Sequence, residues 1–217
     1  MPPQEHLERR LAAIFAADVA GYSRLMRADE AGTMRALTAH RGVMDSLIAE
    51  HRGRIANTAG DSVLAEFPSV VDAVKCAIEV QEAIARNDEA EADERRLTFR
   101  VGVHVGDVIV RGNDVIGDAV NVAARLQSLA EAGGICLSAV AHEYVRNVLP
   151  LNFDDLGTQP VKNISEPIRA YAIRAANRTA ELPLSSGSRA SALAQPDKPS
   201  LAVLPFLDHA SRGRVPR

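Results

Sequence analysis

Residues 54–67 read RIANTAGDSVLAEF, two short runs hinged on Ala59-Gly60-Asp61. In the second run Val63, Ala65 and Phe67 alternate with Ser62 and Glu66, the period of a strand with one buried face. The runs at 54–58 and 62–67 are therefore predicted to pair around a tight turn. Upstream, residues 11–17 (LAAIFAA) are apolar without alternation, as expected of a central strand covered on both faces, and Asp18 follows at once. Between them Asp29 is placed to cap a helix that carries Met34, Leu37, Met44, Leu47 and Ile48 on one stripe and stops at Gly53. Downstream, Ser69 and Asp72 form a capping box ahead of a stripe of Val70, Val71, Val74, Ala77, Ile78 and Ile84.

Residues 87–96 (NDEAEADERR) are almost wholly charged and read as a solvated connection. Residues 98–110 are expected to form two strands joined near Gly106-Asp107, with Phe99, Val101, Val103 and Val105 on one face and Arg100, Gly102 and His104 on the other. A helix is expected from Gly117 to Gly133-Gly134, a strand at 135–138, a helix at 139–147 and a last pair of strands within 153–173. The order β-α-β-β-α-β defines an α+β fold, a ferredoxin-like (split βαβ) antiparallel sheet with helices on one side.

The chain has 217 residues, enough for one domain of about 150–180 residues and a tail. The domain is placed at 8–175 and a Ser/Ala/Pro-rich linker at 176–199. Residues 200–217, opening with SLAVLPF, read as the start of a truncated second domain or a disordered tail. A net charge of −3 argues against nucleic acid and against anionic membrane surfaces as partners. No apolar run approaches the roughly 20 residues of a membrane span, and MPPQEHLERR is too acidic for a signal peptide, so the expected location is cytoplasmic. Cys76 and Cys136 have no metal-ligand spacing and read as core thiols.

Asp18 ends the first strand and Asp61 begins the third; as antiparallel neighbours those strands bring the two carboxylates together. A Gly-Asp turn alone is ordinary turn chemistry. Two adjacent carboxylates are costly without a cation between them, and their hard oxygens suit magnesium or manganese. Asn121 and Arg125, four apart, share a face near a helix N-terminus, an arrangement that suits an anionic group but also an ordinary polar surface. Lys162 is either a surface lysine or a phosphate contact, and His104 reads as structural.

Five segments, IFAADVAGYSRLM, GRIANTAGDSVLAEF, FRVGVHVGDVIV, DVIGDAVNVAARLQ and LGTQPVKNISEPIRAYAI, together resemble the class III nucleotidyl cyclase catalytic domain, in its bacterial adenylate/guanylate cyclase branch. The resemblance spans 8–175 and implies a reaction: ATP converted to 3′,5′-cyclic AMP and pyrophosphate, with two Mg2+ or Mn2+ ions per site. It implies that Asp18, Asp61 and the carbonyl of Val19 hold the metals. It further implies that Asn121 orients the ribose, Arg125 stabilises the transition state, Lys162 contacts the triphosphate and Asp114 reads adenine. The family's second adenine reader is a lysine, and Asn57 stands at that position. Asparagine can donate or accept, so it rejects guanine less firmly than lysine would. The resemblance also implies a homodimer whose active sites are shared, metal aspartates from one copy and Asn121 and Arg125 from the other. The alternatives are a non-catalytic nucleotide-binding dimerisation module and a cyclase with relaxed choice between ATP and GTP. A diguanylate cyclase would need a Gly-Gly-Asp/Glu run where Ala59-Gly60-Asp61 stands.

Overall fold

The computed structural model describes residues 8–88, 95–160 and 167–174; the expected linker at 176–199, the tail at 200–217 and Lys162 lie outside them. The apolar run at 11–17 sits inside a longer strand, β1 (Glu8–Val19), in which Ala12 through Ala17 are all buried. Its two faces meet different layers. Ala13, Phe15 and Ala17 join a large core with Leu37, Met44 and Ile48 of α2 (Glu30–Glu50) and Val74 and Ala77 of α3 (Val70–Asn87). Ala12, Ile14 and Ala16 pack instead with Ala119 and Ala123 of α4 (Asp118–Leu129). Helices therefore cover both sides of the sheet, not one. The small side chains of β1 permit this second layer, because alanines and glycines let a helix approach the backbone closely.

The hairpin forms as its sequence dictates, β2 (Arg54–Ala59) and β3 (Ser62–Phe67) closing on an Ala59↔Ser62 pair. Positive φ at Gly60 (58°), the first residue of the two-residue loop, is what makes glycine necessary there. β3 runs antiparallel to β1, pairing Ala17 with Val63. On the other side of β1 lies β4 (Phe99–Arg111), a single strand of 13 residues where two were expected. Gly106 and Asp107 do not turn, because β1 continues opposite them and pairs Ala12 with Gly106 and Leu11 with Asp107. Only beyond Arg111 does the chain double back, into the unanticipated short strand β5 (Asp114–Ile116).

The strand order is β2-β3-β1-β4-β6-β8-β7, with β6 (Ile135–Ser138), β7 (Asp154–Gln159) and β8 (Ile168–Ile173) extending the ferredoxin-like half. β6 lies parallel to β4, so the sheet is mixed where an antiparallel one was expected. Helix α5 (Ala139–Val145) is capped by Ser138, whose hydroxyl accepts from the Ala141 amide at 3.2 Å.

Caps follow the expected chemistry. Asp29 accepts from the Gly32 amide at 2.8 Å and Ser69 from Asp72 at 3.3 Å. A short helix that the sequence reading missed, α1 (Tyr22–Ala28), precedes Asp29. Beyond α2 the left-handed residue is Arg52 (φ 61°), whereas Gly53 is required for space, since a Cβ there would lie 2.4 Å from the Phe67 ring. Met34, expected on the buried stripe, is 45% exposed. The charged run at 87–96 is also not uniformly solvated: Asp88 is buried, bonds His40 Nε2 at 3.0 Å and accepts from the Leu97 amide at 3.1 Å. Cys76 and Cys136 are free and buried, their thiols pushed up to about 12 by burial.

Candidate active site

Antiparallel pairing of β1 with β3 carries Asp18 and Asp61 to one corner of the sheet. The Val19 amide donates to Asp61 Oδ2 at 3.2 Å, fixing the second carboxylate beside the end of β1. The loop that carries Asp61 is held from outside by Arg41 of α2, whose Nη2 donates to the carbonyls of Gly60 at 2.5 Å and Ser62 at 3.2 Å. Val19 itself is buried at 2% exposure.

Asp18 is the more constrained of the pair. Burial raises its pKa above the usual carboxylate range; the Arg100 charge and hydrogen bonds from Arg100 and Gln127 pull it back, and the Asp61 charge raises it further. Arg100 stands directly opposite in β4 and grips Asp18 with Nε to Oδ1 at 3.1 Å and Nη2 to Oδ2 at 2.9 Å. Gln127 of α4 donates to Oδ1 as well. Sequence reading placed Arg100 only on the face opposite Phe99 and Val101, with no partner, and did not name Gln127. One signal was available: an arginine set between the buried Phe99 and Val101 calls for a charged partner across the sheet.

The donor set suits a divalent cation. Asp18 feels the charge of Asp61, both carboxylates offer hard oxygens, and the Arg100 guanidinium supplies a counter-charge to Asp18. Among the described residues, no group of three or more His, Cys, Asp or Glu could hold a metal alone. Such a pair would leave further coordination to substrate oxygens and water.

Helix α4 divides the remaining residues between its faces. Asn121 and Arg125 are exposed, while Ala119, Ala123 and Gln127 are buried against β1 and β4, and Val122 and Leu126 pack with Cys136 of β6 and Ala170 of β8. At about 100° per residue, Gln127 points roughly 120° from Asn121 and 160° from Arg125. The helix thus touches its own Asp18 from one side and shows Asn121 and Arg125 outward on another. Its close seat depends on Gly102, where a Cβ would fall 2.2 Å from the Ala123 carbonyl oxygen and 2.3 Å from the Gln127 amide nitrogen.

Asn57 of β2 and Asp114 of β5 are both exposed. Their strands are tied by Arg54, whose Nη1 donates to the Asn113 carbonyl at 2.8 Å. His104 faces Ser138, Nδ1 lying 2.8 Å from its hydroxyl, and burial lowers its pKa to about 4, so it is neutral at physiological pH.

A ferredoxin-like sheet with acidic residues at adjoining strand ends and an Asn/Arg helix belongs to a defined class. Residues 6–175 match the family described as the Adenylate and Guanylate cyclase catalytic domain, and the chain belongs to it. The Rhizobium meliloti protein named "Putative adenylate cyclase 3" is 43% identical over 94% of this chain and 34% of its own length. An adenylate cyclase of Streptomyces coelicolor is 34% identical over 66% of this chain and 36% of its own. The chain thus spans about a third of these two relatives. Among solved structures, the adenylate/guanylate cyclase/hydrolase from Silicibacter pomeroyi is 41% identical with a TM-score of 0.74, covering 77% of this chain and 98% of that one. The adenylyl cyclase CyaB from P. aeruginosa is 25% identical with a TM-score of 0.69, covering 78% and 96%. No helix among the described residues is long and apolar enough to cross a membrane.

Proposed function

We propose that the chain is the catalytic domain of an adenylate cyclase that works as a homodimer, closing ATP to 3′,5′-cyclic AMP with release of pyrophosphate. The observation that carries this is the division of α4: its inner face engages Asp18, while Asn121 and Arg125 project outward and leave the chain's own acidic corner. One chain then holds half of each of two sites, and a twofold arrangement of copies completes both.

In this reading Asp18, Asp61 and the Val19 carbonyl hold two Mg2+ or Mn2+ ions, which supply Lewis acidity toward the 3′-hydroxyl and charge neutralisation on the triphosphate. Asn121 of the facing copy hydrogen-bonds the ribose and holds the 3′-oxygen in line with the α-phosphorus. Arg125 lies where negative charge builds on the α-phosphoryl oxygens as the new bond forms and pyrophosphate departs. Lys162 adds a charge to the triphosphate. Asp114 accepts from the 6-amino group of adenine, and Asn57, tied nearby through β2 and β5, adds a second contact that either purine can use. The reaction draws on the ATP of the cytoplasm, where the free thiols of Cys76 and Cys136 are also at home.

Mixing an Asp18→Ala chain with an Arg125→Ala chain tests the arrangement. Each alone is inactive, and the mixture regains up to about a quarter of wild-type activity, because randomly paired copies include dimers with one intact site. A mixture that makes no cyclic AMP rejects the shared site; bound ATP with no product at all in the wild type favours the non-catalytic module.

A further inference from the structure

Gln127 is buried at 6% exposure and its side-chain amide donates to Asp18 Oδ1. The same carboxylate takes Nε and Nη2 of Arg100. A carboxylate offers about four lone-pair directions, so the chain itself fills most of them. The two donors differ in charge. A divalent cation arriving at Asp18 repels the Arg100 guanidinium, whereas the neutral Gln127 amide has no such reason to leave.

We infer that Gln127 is the positioning residue of the cation corner, holding the Asp18 carboxylate in a fixed rotation when Arg100 gives way. It acts from the helix that carries Asn121 and Arg125, so cation occupancy in one copy is coupled to the seat of the helix offered to the other. The inference rests on the reading of Asp18 as a cation ligand. The tie is stiff because α4 has no slack against β4: a Cβ at Gly102 would meet the backbone at Ala123 and Gln127 within 2.3 Å. Groups that orient a metal ligand from behind typically set affinity by about 10–100-fold.

The test is Mn2+ titrated into the whole chain without nucleotide, read by calorimetry and by the paramagnetic resonance signal of free Mn2+. Gln127→Met keeps the side chain's length and removes the donor; Gln127→Asn keeps the amide and removes its reach. Both are expected to bind Mn2+ about 10-fold or more weakly. A melting temperature is recorded for each. Wild-type Mn2+ affinity in either folded variant overturns the inference, including the case in which the melting temperature falls and the affinity does not. If Asp18→Ala binds Mn2+ as well as wild type, the cation reading itself fails and takes the inference with it; if Asp18→Ala weakens binding and the Gln127 variants do not, only the inference fails.

Discussion

Replacing Gly102 by alanine adds one methyl group where the structure has no room for it. The new carbon would lie 2.2 Å from the Ala123 oxygen, 2.3 Å from the Gln127 nitrogen and 2.9 Å from the Gln127 Cα, all backbone atoms of α4. No rotamer change relieves such a contact. Ordinary contact begins near 3.4 Å, so the helix must rise about 1.2 Å from β4 or the strand must buckle. Overpacking of this kind costs about 3 kcal/mol, at the upper end of its usual range. In a chain of this size that lowers the melting temperature by about 6–12 °C. If Asn121 and Arg125 act as proposed, a displacement of about 1 Å in the helix that carries them should cost about 100-fold in kcat. Gly42, exposed in α2 with nothing within 4 Å of its would-be Cβ, is the internal control. Gly42→Ala should gain about 0.5–1 kcal/mol from helix propensity and leave turnover unchanged. Calorimetric melting and an ATP-turnover assay on both variants decide the matter. If Gly102→Ala melts and turns over like wild type, the close seat of α4 is not what positions Asn121 and Arg125.

Three further outcomes follow from individual contacts. Because burial raises the Asp18 pKa, the folded chain keeps that proton at pH values where the unfolded chain has lost it; stability therefore falls as pH climbs from the ordinary aspartate value through the raised one. Asp18→Asn should flatten that stretch of the stability–pH curve, measured by denaturant unfolding, while abolishing turnover. Asp88→Ala would strand the buried His40 Nε2 and the Leu97 amide and cost about 3 kcal/mol in the same assay; a loss below about 1 kcal/mol would show that water replaces the carboxylate. If Asn57 contacts the base as proposed, Asn57→Lys puts a donor-only group there and should raise the ratio of ATP to GTP turnover about tenfold, read by product chromatography with both nucleotides present.

Much of the molecule was legible because its signals are local. The alternation of residues 62–67, the tight turn at Gly60 and the Asp29 and Ser69 N-caps each depend on a few neighbouring residues and form, though Asp72 Oδ2 of the expected capping box accepts from Arg52. The meeting of Asp18 with Asp61 followed from strand topology alone. What was missed is non-local. Gly106-Asp107 has the composition of a turn, and only the length of β1 opposite it keeps β4 straight. The placement of α4 on the second face depends on Gly102 and the alanines of β1, whose smallness signals close approach without saying of what. Arg100 and Gln127 lie 82 and 109 residues from Asp18 in sequence, beyond any spacing argument.

If Asp18 binds a cation as proposed, the arrangement around it explains how the fold tolerates the time before that cation arrives. A carboxylate exposed by only 23%, with another close by, would destabilise the sheet corner if left bare. Arg100 supplies a counter-charge from the next strand, and Gln127 supplies a neutral donor from the layer behind. These two forms of support respond differently to an incoming divalent ion, since charge repels one and leaves the other. A corner balanced by arginine alone would lose its orientation when the ion displaced the guanidinium. One balanced by amides alone would pay the full cost of two unneutralised carboxylates beforehand. On the proposed reading, combining them would let the single chain fold with its acidic corner satisfied and still yield that corner to a cation without losing the geometry that α4 imposes on it.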